Sequence, residues 1–244
     1  MINKTEILRE GKAKVVYHTD NPDYVWIHFK DDATAFDGAK KAVVRDKGQI
    51  NSAISIHLLK LMEENSIPTH FISNPTDRDQ ICHKLDIVPI EVVVRNVAAG
   101  SICRRFGLQQ GLKLEEPLVE FFYKDDELHD PPMSDVHALA FKWAIQWELE
   151  YMKHAALRVN QVMSEFWMQL GVTLVDFKLE FGRTASGQLL LADEITPDGC
   201  RLWEYQADGS TRSLDKDVFR KDLGDLTDTY RELFAKVFGR NFES

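Results

Sequence analysis

An α+β fold of two lobes, built from antiparallel sheets with flanking helices, is what this sequence predicts, on three observations. Short β-branched and aromatic runs open the chain at residues 7–17 and 24–29, and the turn-forming Asp20-Asn21-Pro22-Asp23 between them folds the second back on the first. Apolar residues recur at helical steps near 49–65, 138–170 and 219–238. Between the last two, residues 174–194 read as a hairpin whose first strand alternates charged with apolar side chains. A chain of 244 residues has room for one large domain or two lobes. The seam falls at residues 83–89, HKLDIVP, giving a sheet-plus-helix lobe over 1–86 and an α+β lobe over 87–244.

In chain order, Lys12 and Lys14 share one face if residues 7–17 stay extended, and can grip an anion together or simply be solvated. Asp37-Gly38 favours a tight turn. From 49 to 65, Ile50, Ala53, Ile54, Leu58, Leu61 and Met62 form a stripe that Asn65, Ser66 and Pro68 terminate; His57 lies on it as a packed histidine rather than a ligand. Residues 87–94, IVPIEVVV, read as a buried strand running into Arg95 and the Gly100-Ser101 start of a helix. That start is either an anion site, where free N–H groups and the helix dipole favour negative charge, or an ordinary N-cap at Ser101. Residues 115–135 read as an acidic, turn-rich loop. Trp143, Trp147, Tyr151, Ala155, Val159, Val162 and Phe166 then mark the core side of one long or two abutting helices, and a helix over 219–238 closes the chain.

The hairpin carries the chemistry. Extended backbone sends Asp176, Lys178 and Glu180 to one face and Val175, Phe177, Leu179 and Phe181 to the other. With Ser186-Gly187 as a two-residue turn, Glu180 stands opposite Asp193. Two carboxylates at roughly 5 Å repel by about 3 kcal/mol for an effective dielectric of about 20. A positive group belongs between them, and a hard cation such as Mg²⁺ suits their oxygens. The alternatives are a solvated hairpin, or a three-residue loop that slips the register by one and undoes the pairing.

Composition narrows the function. Thirty basic against 39 acidic residues leave a net charge of −9, which argues against a nucleic-acid surface built on bulk positive charge. Cys82, Cys103 and Cys200 are widely spaced and suggest packing thiols rather than disulfides or a zinc site. With no run of 18 apolar residues and no apolar leader, a soluble cytoplasmic protein is expected, without a membrane partner. The glycines form neither G-x-G-x-x-G nor a Walker A loop, and G-x-S-x-G and H-E-x-x-H are absent. What remains is phosphate-friendly: the Lys12/Lys14 pair, Arg95 with Gly100-Ser101, Arg201, and the carboxylate pair. Together they point to a magnesium-nucleotide enzyme.

At these residues the chain resembles a known family. VPIEVVVRNVAAGS (88–101) and LVDFKLEFG (174–182) resemble the two signature segments of the phosphoribosylaminoimidazole-succinocarboxamide synthases, the SAICAR synthetases of purine biosynthesis. REGKAKVVY, AFDGAKK, YKDDELHDP and ADEITPDGCRLWE match as well, so the resemblance runs in order along nearly the whole chain. It implies a kinase-like nucleotide cleft between the lobes and an ATP- and Mg²⁺-dependent ligase joining L-aspartate to the carboxylate of an aminoimidazole ribotide, in a homodimer. Carried over by position, Lys12, Ala13 and Lys14 line the ATP phosphates with Lys124 nearby, and Leu85 and Ile87 hold the adenine. Glu180 and Asp193 carry Mg²⁺. Arg95, Ser101 and Arg201 anchor the ribotide, while Asp130, Asp176 and Lys178 contact its imidazole, amine or carboxylate; Asp176, Lys178 and Lys14 are the catalytic set. Aspartate falls near the 37–41 turn and the Gly100 loop. Met133-Ser134-Asp135 departs from the Asn-Glu common in the family, so no role is carried there. An Asp-Phe-Lys strand also suits a small-molecule kinase, and a silent nucleotide-binding protein is the third reading.

Overall fold

The computed structural model describes residues 2–35 and 40–243. The Asp37-Gly38 turn therefore lies outside the described residues. The chain opens with β1 (Lys4–Glu10), β2 (Lys14–Thr19), β3 (Tyr24–Phe29), β4 (Asp32–Ala35) and β5 (Lys40–Val43), then α1 (Lys47–Glu64), β6 (Phe71–Thr76) and β7 (Asp79–His83). It continues through β8 (Asp86–Val97), α2 (Ser101–Phe106), β9 (Lys113–Tyr123), β10 (Pro132–Met133), α3 (Asp135–Ala140) and α4 (Gln146–Gln169). The last elements are β11 (Thr173–Arg183), β12 (Leu189–Ala192), β13 (Cys200–Tyr205), β14 (Thr211–Ser213), α5 (Asp217–Arg220) and α6 (Leu226–Phe238).

The first sheet has the antiparallel order β1-β2-β3-β7-β6. Residues 7–17 are not one strand. Gly11 breaks the run, its N–H reaching the Lys14 carbonyl at 2.8 Å, and β1 and β2 become a hairpin. Lys12 is then a turn residue while Lys14 pairs with Phe29 on β2, so the two lysines do not share a strand face.

The second sheet runs β10-β9-β8-β11-β13-β14, with β12 also on β11, again antiparallel. The first part of the stretch expected to be an acidic loop is strand β9, its Phe121 and Val119 opposite Val92 and Val94 of β8, while residues 124–131 remain loop and turn. The buried β8 needs a hydrogen-bonding partner on that side, and this need overrides the weak local β-propensity of an acidic stretch.

Period two in β8 buries Val88, Ile90, Val92 and Val94 on one face. Phe177, Leu179 and Phe181 of β11 join them in one large core, closed by α1, α4 and α6. On α4 the buried side is Leu149, Met152, Ala155, Ala156, Val159, Met163 and Trp167; of the stripe read in the sequence, Ala155 and Val159 are buried, Tyr151, Val162 and Phe166 pack half-buried against the core, and Trp147 is 47% exposed. Large aromatics on both flanks of the helix had blurred the phase. The closing helix begins only at Leu226, after the short α5, with the Asp225 carboxylate capping it on the Thr227 N–H at 2.6 Å. His57 is half-buried between the Phe166 and Phe238 rings, and burial lowers its pKa. Cys82 and Cys200 are buried thiols, and all three cysteines are free. Among the described residues no helix is long and apolar enough to cross a membrane.

Candidate active site

The face of the second sheet turned away from the core carries every second residue of its central strands. From β8 these are Glu91, Val93 and Arg95, and from β11 they are Asp176, Lys178 and Glu180. The first sheet covers them with Val16, Val25 and Ile27, and the space between is a cavity of about 770 Å³. Lys12, Ala13, Lys14, Leu85, Ile87, Lys124, Arg95, Ser101, Asp130, Asp176, Lys178, Glu180, Asp193 and Arg201 all line it. These residues come from seven separate stretches of sequence, so it is the fold that makes them one site.

The register at the hairpin differs from expectation. Glu180 pairs with Ala192 and Arg183 with Leu189, one residue short of the Glu180–Asp193 pairing. Thr184 and Gln188 close a three-residue loop, the Thr184 N–H donating to Gln188 at 2.9 Å, and Gly187 supplies the left-handed residue at φ 84°. Such a three-residue turn suits the twist of the strands. Asp193 nevertheless reaches the site, because β12 ends at Ala192 and Asp193 itself takes a left-handed φ of 64°.

A cation does sit between the two carboxylates, and it is Lys178. Its Nζ meets Glu180, Asp193 (3.4 Å) and Glu91 (3.2 Å). Burial alone pulls the ammonium pKa down, but these carboxylates outweigh it and hold Lys178 well above the ordinary lysine range. Lys14 joins Asp193 and Glu194, and Lys124 reaches Glu180 at 2.8 Å. For Asp193, burial pushes the carboxyl up while Lys14 and Lys178 hold it far below the carboxylate range. Glu91 goes the other way, raised by burial.

At the other end, Asp176 is clasped by two guanidinium groups. Arg95 Nη1 lies 3.1 Å from its Oδ2, and Arg201 Nη1 lies 3.0 and 2.8 Å from its two oxygens. Arg95 also donates to Glu120 at 2.6 Å and to the Ser101 hydroxyl at 3.2 Å. Ser101 is therefore not the helix cap; Gly100 occupies that position, at φ 65°. A Cβ on Gly100 would stand 2.6 Å from Arg201 Nη2, so the glycine is what lets the guanidinium lie against this loop. At the hydrophobic end, a Cβ on Gly182 would stand 2.6 Å from the Leu85 Cβ, so that glycine admits Leu85 beside Ile87.

Sequence reading missed several residues of the cavity: His70, Glu91, Glu194, Asp198, Lys216 and Arg220. Glu91 was legible, since it shares the period-two face of β8 with Arg95. Asp198 was not. It accepts from the fully buried Lys47 at 2.7 Å and from the Tyr230 hydroxyl at 2.5 Å, and Lys216 lies 3.5 Å away, contacts spanning the whole chain. Burial pushes Asp198 up, but Lys47 and Lys216 hold it well below the carboxylate range. A carboxylate depressed in the fold stabilises above its unfolded pKa and loses that contribution as pH falls through its folded value. Asp198→Asn, which keeps one acceptor for Lys47, should cost about 3 kcal/mol at neutral pH. Denaturant titrations should show this gap closing as the pH falls below about 4.

The architecture recurs in solved structures. The SAICAR synthetase family model matches residues 7–237. This chain belongs to the SAICAR synthetase family. Relatives named phosphoribosylaminoimidazole-succinocarboxamide synthase include one from Persephonella marina, 49% identical over 97% of this chain and 98% of its own length. Another, from Coprothermobacter proteolyticus, is 47% identical over 97% and 99%. A SAICAR synthetase solved in complex with ADP superposes with a TM-score of 0.92 at 46% identity, covering 97% of this chain and 99% of that one. The Ehrlichia chaffeensis synthase gives 0.92 at 44% identity, over 97% and 100%. SAICAR synthetases are ATP-dependent ligases that join aspartate to the carboxyaminoimidazole ribotide of purine biosynthesis.

Proposed function

We propose that the cavity carries out this ligation through an acyl phosphate, and that its two ends divide the work. The lobes, residues 1–86 and 87–244, close on the nucleotide between them, with α1 crossing to pack in the large core. Leu85 and Ile87, packed closely over Gly182, hold the adenine. Lys12, Ala13, Lys14 and Lys124 receive the phosphates. The single observation that carries the reading is the joint hold of Lys178 on Glu180 and Asp193, beside Lys14 and in the same cavity as the Asp176-bridged arginines.

Mg²⁺ fits this end. The donors are hard carboxylate oxygens, and the Lys178 ammonium already stands between them in the place of a cation. Among the described residues no group of three or more His, Cys, Asp or Glu is disposed around a metal, so Glu180 and Asp193 would share the ion with phosphate oxygens and water, as Mg²⁺ commonly does. When bound, the ion neutralises phosphate charge during transfer.

A carboxylate is a poor electrophile because an attacking amine finds no leaving group. In the proposed sequence a ribotide carboxylate oxygen takes the γ-phosphoryl group and ADP departs. The aspartate amine then attacks the activated carbonyl carbon, loses a proton, and phosphate leaves. The protein supplies position and charge. Arg95, Ser101 and Arg201 anchor the ribotide, Asp130 and Asp176 face its ring substituents, and Lys178 steadies the carboxylate under attack. Aspartate is proposed to bind near the Gly100 loop and residues 37–41. The enzyme is proposed to be a homodimer working in the cytoplasm; the exposed row of Val136, Phe141, Ile145 and Trp147 supports association of two copies.

Purified protein given ATP, Mg²⁺, aspartate and the carboxylated ribotide should release ADP only when aspartate is present. ADP formed without aspartate would mark a small-molecule kinase instead. Arg201→Ala should raise the apparent KM for the ribotide about tenfold, a loss of ~1.4 kcal/mol, and leave the KM for ATP unchanged. Gly100→Ala should act in the same direction, by displacing the Arg201 guanidinium. The reverse order of effects in steady-state kinetics would show the phosphate anchor to be misplaced.

A further inference from the structure

Asp193 carries its carboxylate into the cleft only because its backbone is left-handed, at φ 64°. A non-glycine residue keeps such a conformation where its surroundings fix it. Here the fixing group is His70. Its Nε2 lies 3.0 Å from the Asp193 carbonyl oxygen, and since a carbonyl only accepts, Nε2 carries the proton. The histidine stands on a rigid platform. Its N–H donates to Leu191 at 2.9 Å, the Leu191 N–H donates to Pro68 at 3.0 Å, and its own carbonyl accepts from the His83 N–H at 2.8 Å. Thr69 forms a parallel bridge with Leu191. His70 is buried.

We propose that His70 is a positioning residue for the metal-binding carboxylate: its Nε2–H holds the Asp193 carbonyl and locks the left-handed turn that swings the Asp193 side chain back beside Glu180. The hydrogen bond thereby compensates for the register of the hairpin, which on its own sets Ala192 opposite Glu180. The proposal rests on the reading of Asp193 as a metal ligand.

Calorimetric binding of ADP with Mg²⁺ and of ADP with EDTA tests it. The wild type should bind ADP more tightly with Mg²⁺. In His70→Leu, which fills the space without a donor, Mg²⁺-ADP should bind about tenfold more weakly and metal-free ADP within twofold of wild type. His70→Gln, which offers an amide N–H, should recover most of the loss. Equal weakening in both media, or equal loss in Leu and Gln variants, makes His70 a packing residue and overturns the proposal. A wild type indifferent to Mg²⁺ overturns the metal reading itself. Should His70→Leu fail to fold, nitrogen NMR of the wild-type imidazole at pH 7.5 decides: a ring protonated at Nε2 is expected, and one protonated at Nδ1 alone overturns the assignment.

Discussion

Replacing Asp193 by Asn is expected to lower kcat about a thousandfold, ~4 kcal/mol of transition-state stabilisation, without raising the KM for ATP. Asn is nearly isosteric, so what is lost is one negative charge. Two effects of that loss oppose each other. On the proposed reading the metal would lose one of its two protein carboxylates, which would weaken charge neutralisation during phosphoryl transfer. Lys14 and Lys178 meanwhile lose an anionic partner, and Lys14 becomes freer to meet the nucleotide phosphates. Binding should therefore hold or tighten while turnover collapses. Steady-state kinetics at several Mg²⁺ concentrations separate the two, with partial recovery expected at high Mg²⁺. Normal turnover at ordinary Mg²⁺ would refute the metal assignment.

Local patterning made much of this site legible, and long-range geometry hid the rest. Strict alternation in residues 174–181 placed Asp176, Lys178 and Glu180 on one face, and the sheet presents that face to the cavity. Alternation survives any context that keeps the strand. Register does not, because it turns on one residue of loop length, and the hairpin closed over three residues rather than two. The lysine pair failed for a related reason: shared facing at i and i+2 needs unbroken extension, and Gly11 ended it. β9 was missed because an acidic stretch has little strand signal until a buried neighbour requires pairing. Asp198 and His70 were invisible because their partners, Lys47 and Asp193, lie more than a hundred residues away in sequence. The family resemblance covered nearly the whole chain, and the family match over residues 7–237 agrees with it.

Asp176→Asn should be the most disruptive single change at the proposed ribotide end, costing about 5 kcal/mol of stability and raising the ribotide KM about a hundredfold, ~2.7 kcal/mol. The carboxylate is buried, and burial raises its pKa even though Arg201 and Arg95 pull it down. Ionised Asp176 is the carboxylate that both guanidinium groups share. Its contribution is placement, since Arg95 and Arg201 come from different strands and meet only through this side chain. Asn keeps one acceptor oxygen but turns an amide N–H₂ toward a guanidinium, leaving two cations near each other with less compensation. An anion in the cleft should relieve part of that strain, because binding to the folded state alone raises its stability. Thermal melts with and without inorganic phosphate check this: the melting temperature of Asp176→Asn should rise more on adding phosphate than that of the wild type. An equal rise in both proteins would mean that the arginines hold their places without Asp176, and that its role lies in contact with the imidazole alone.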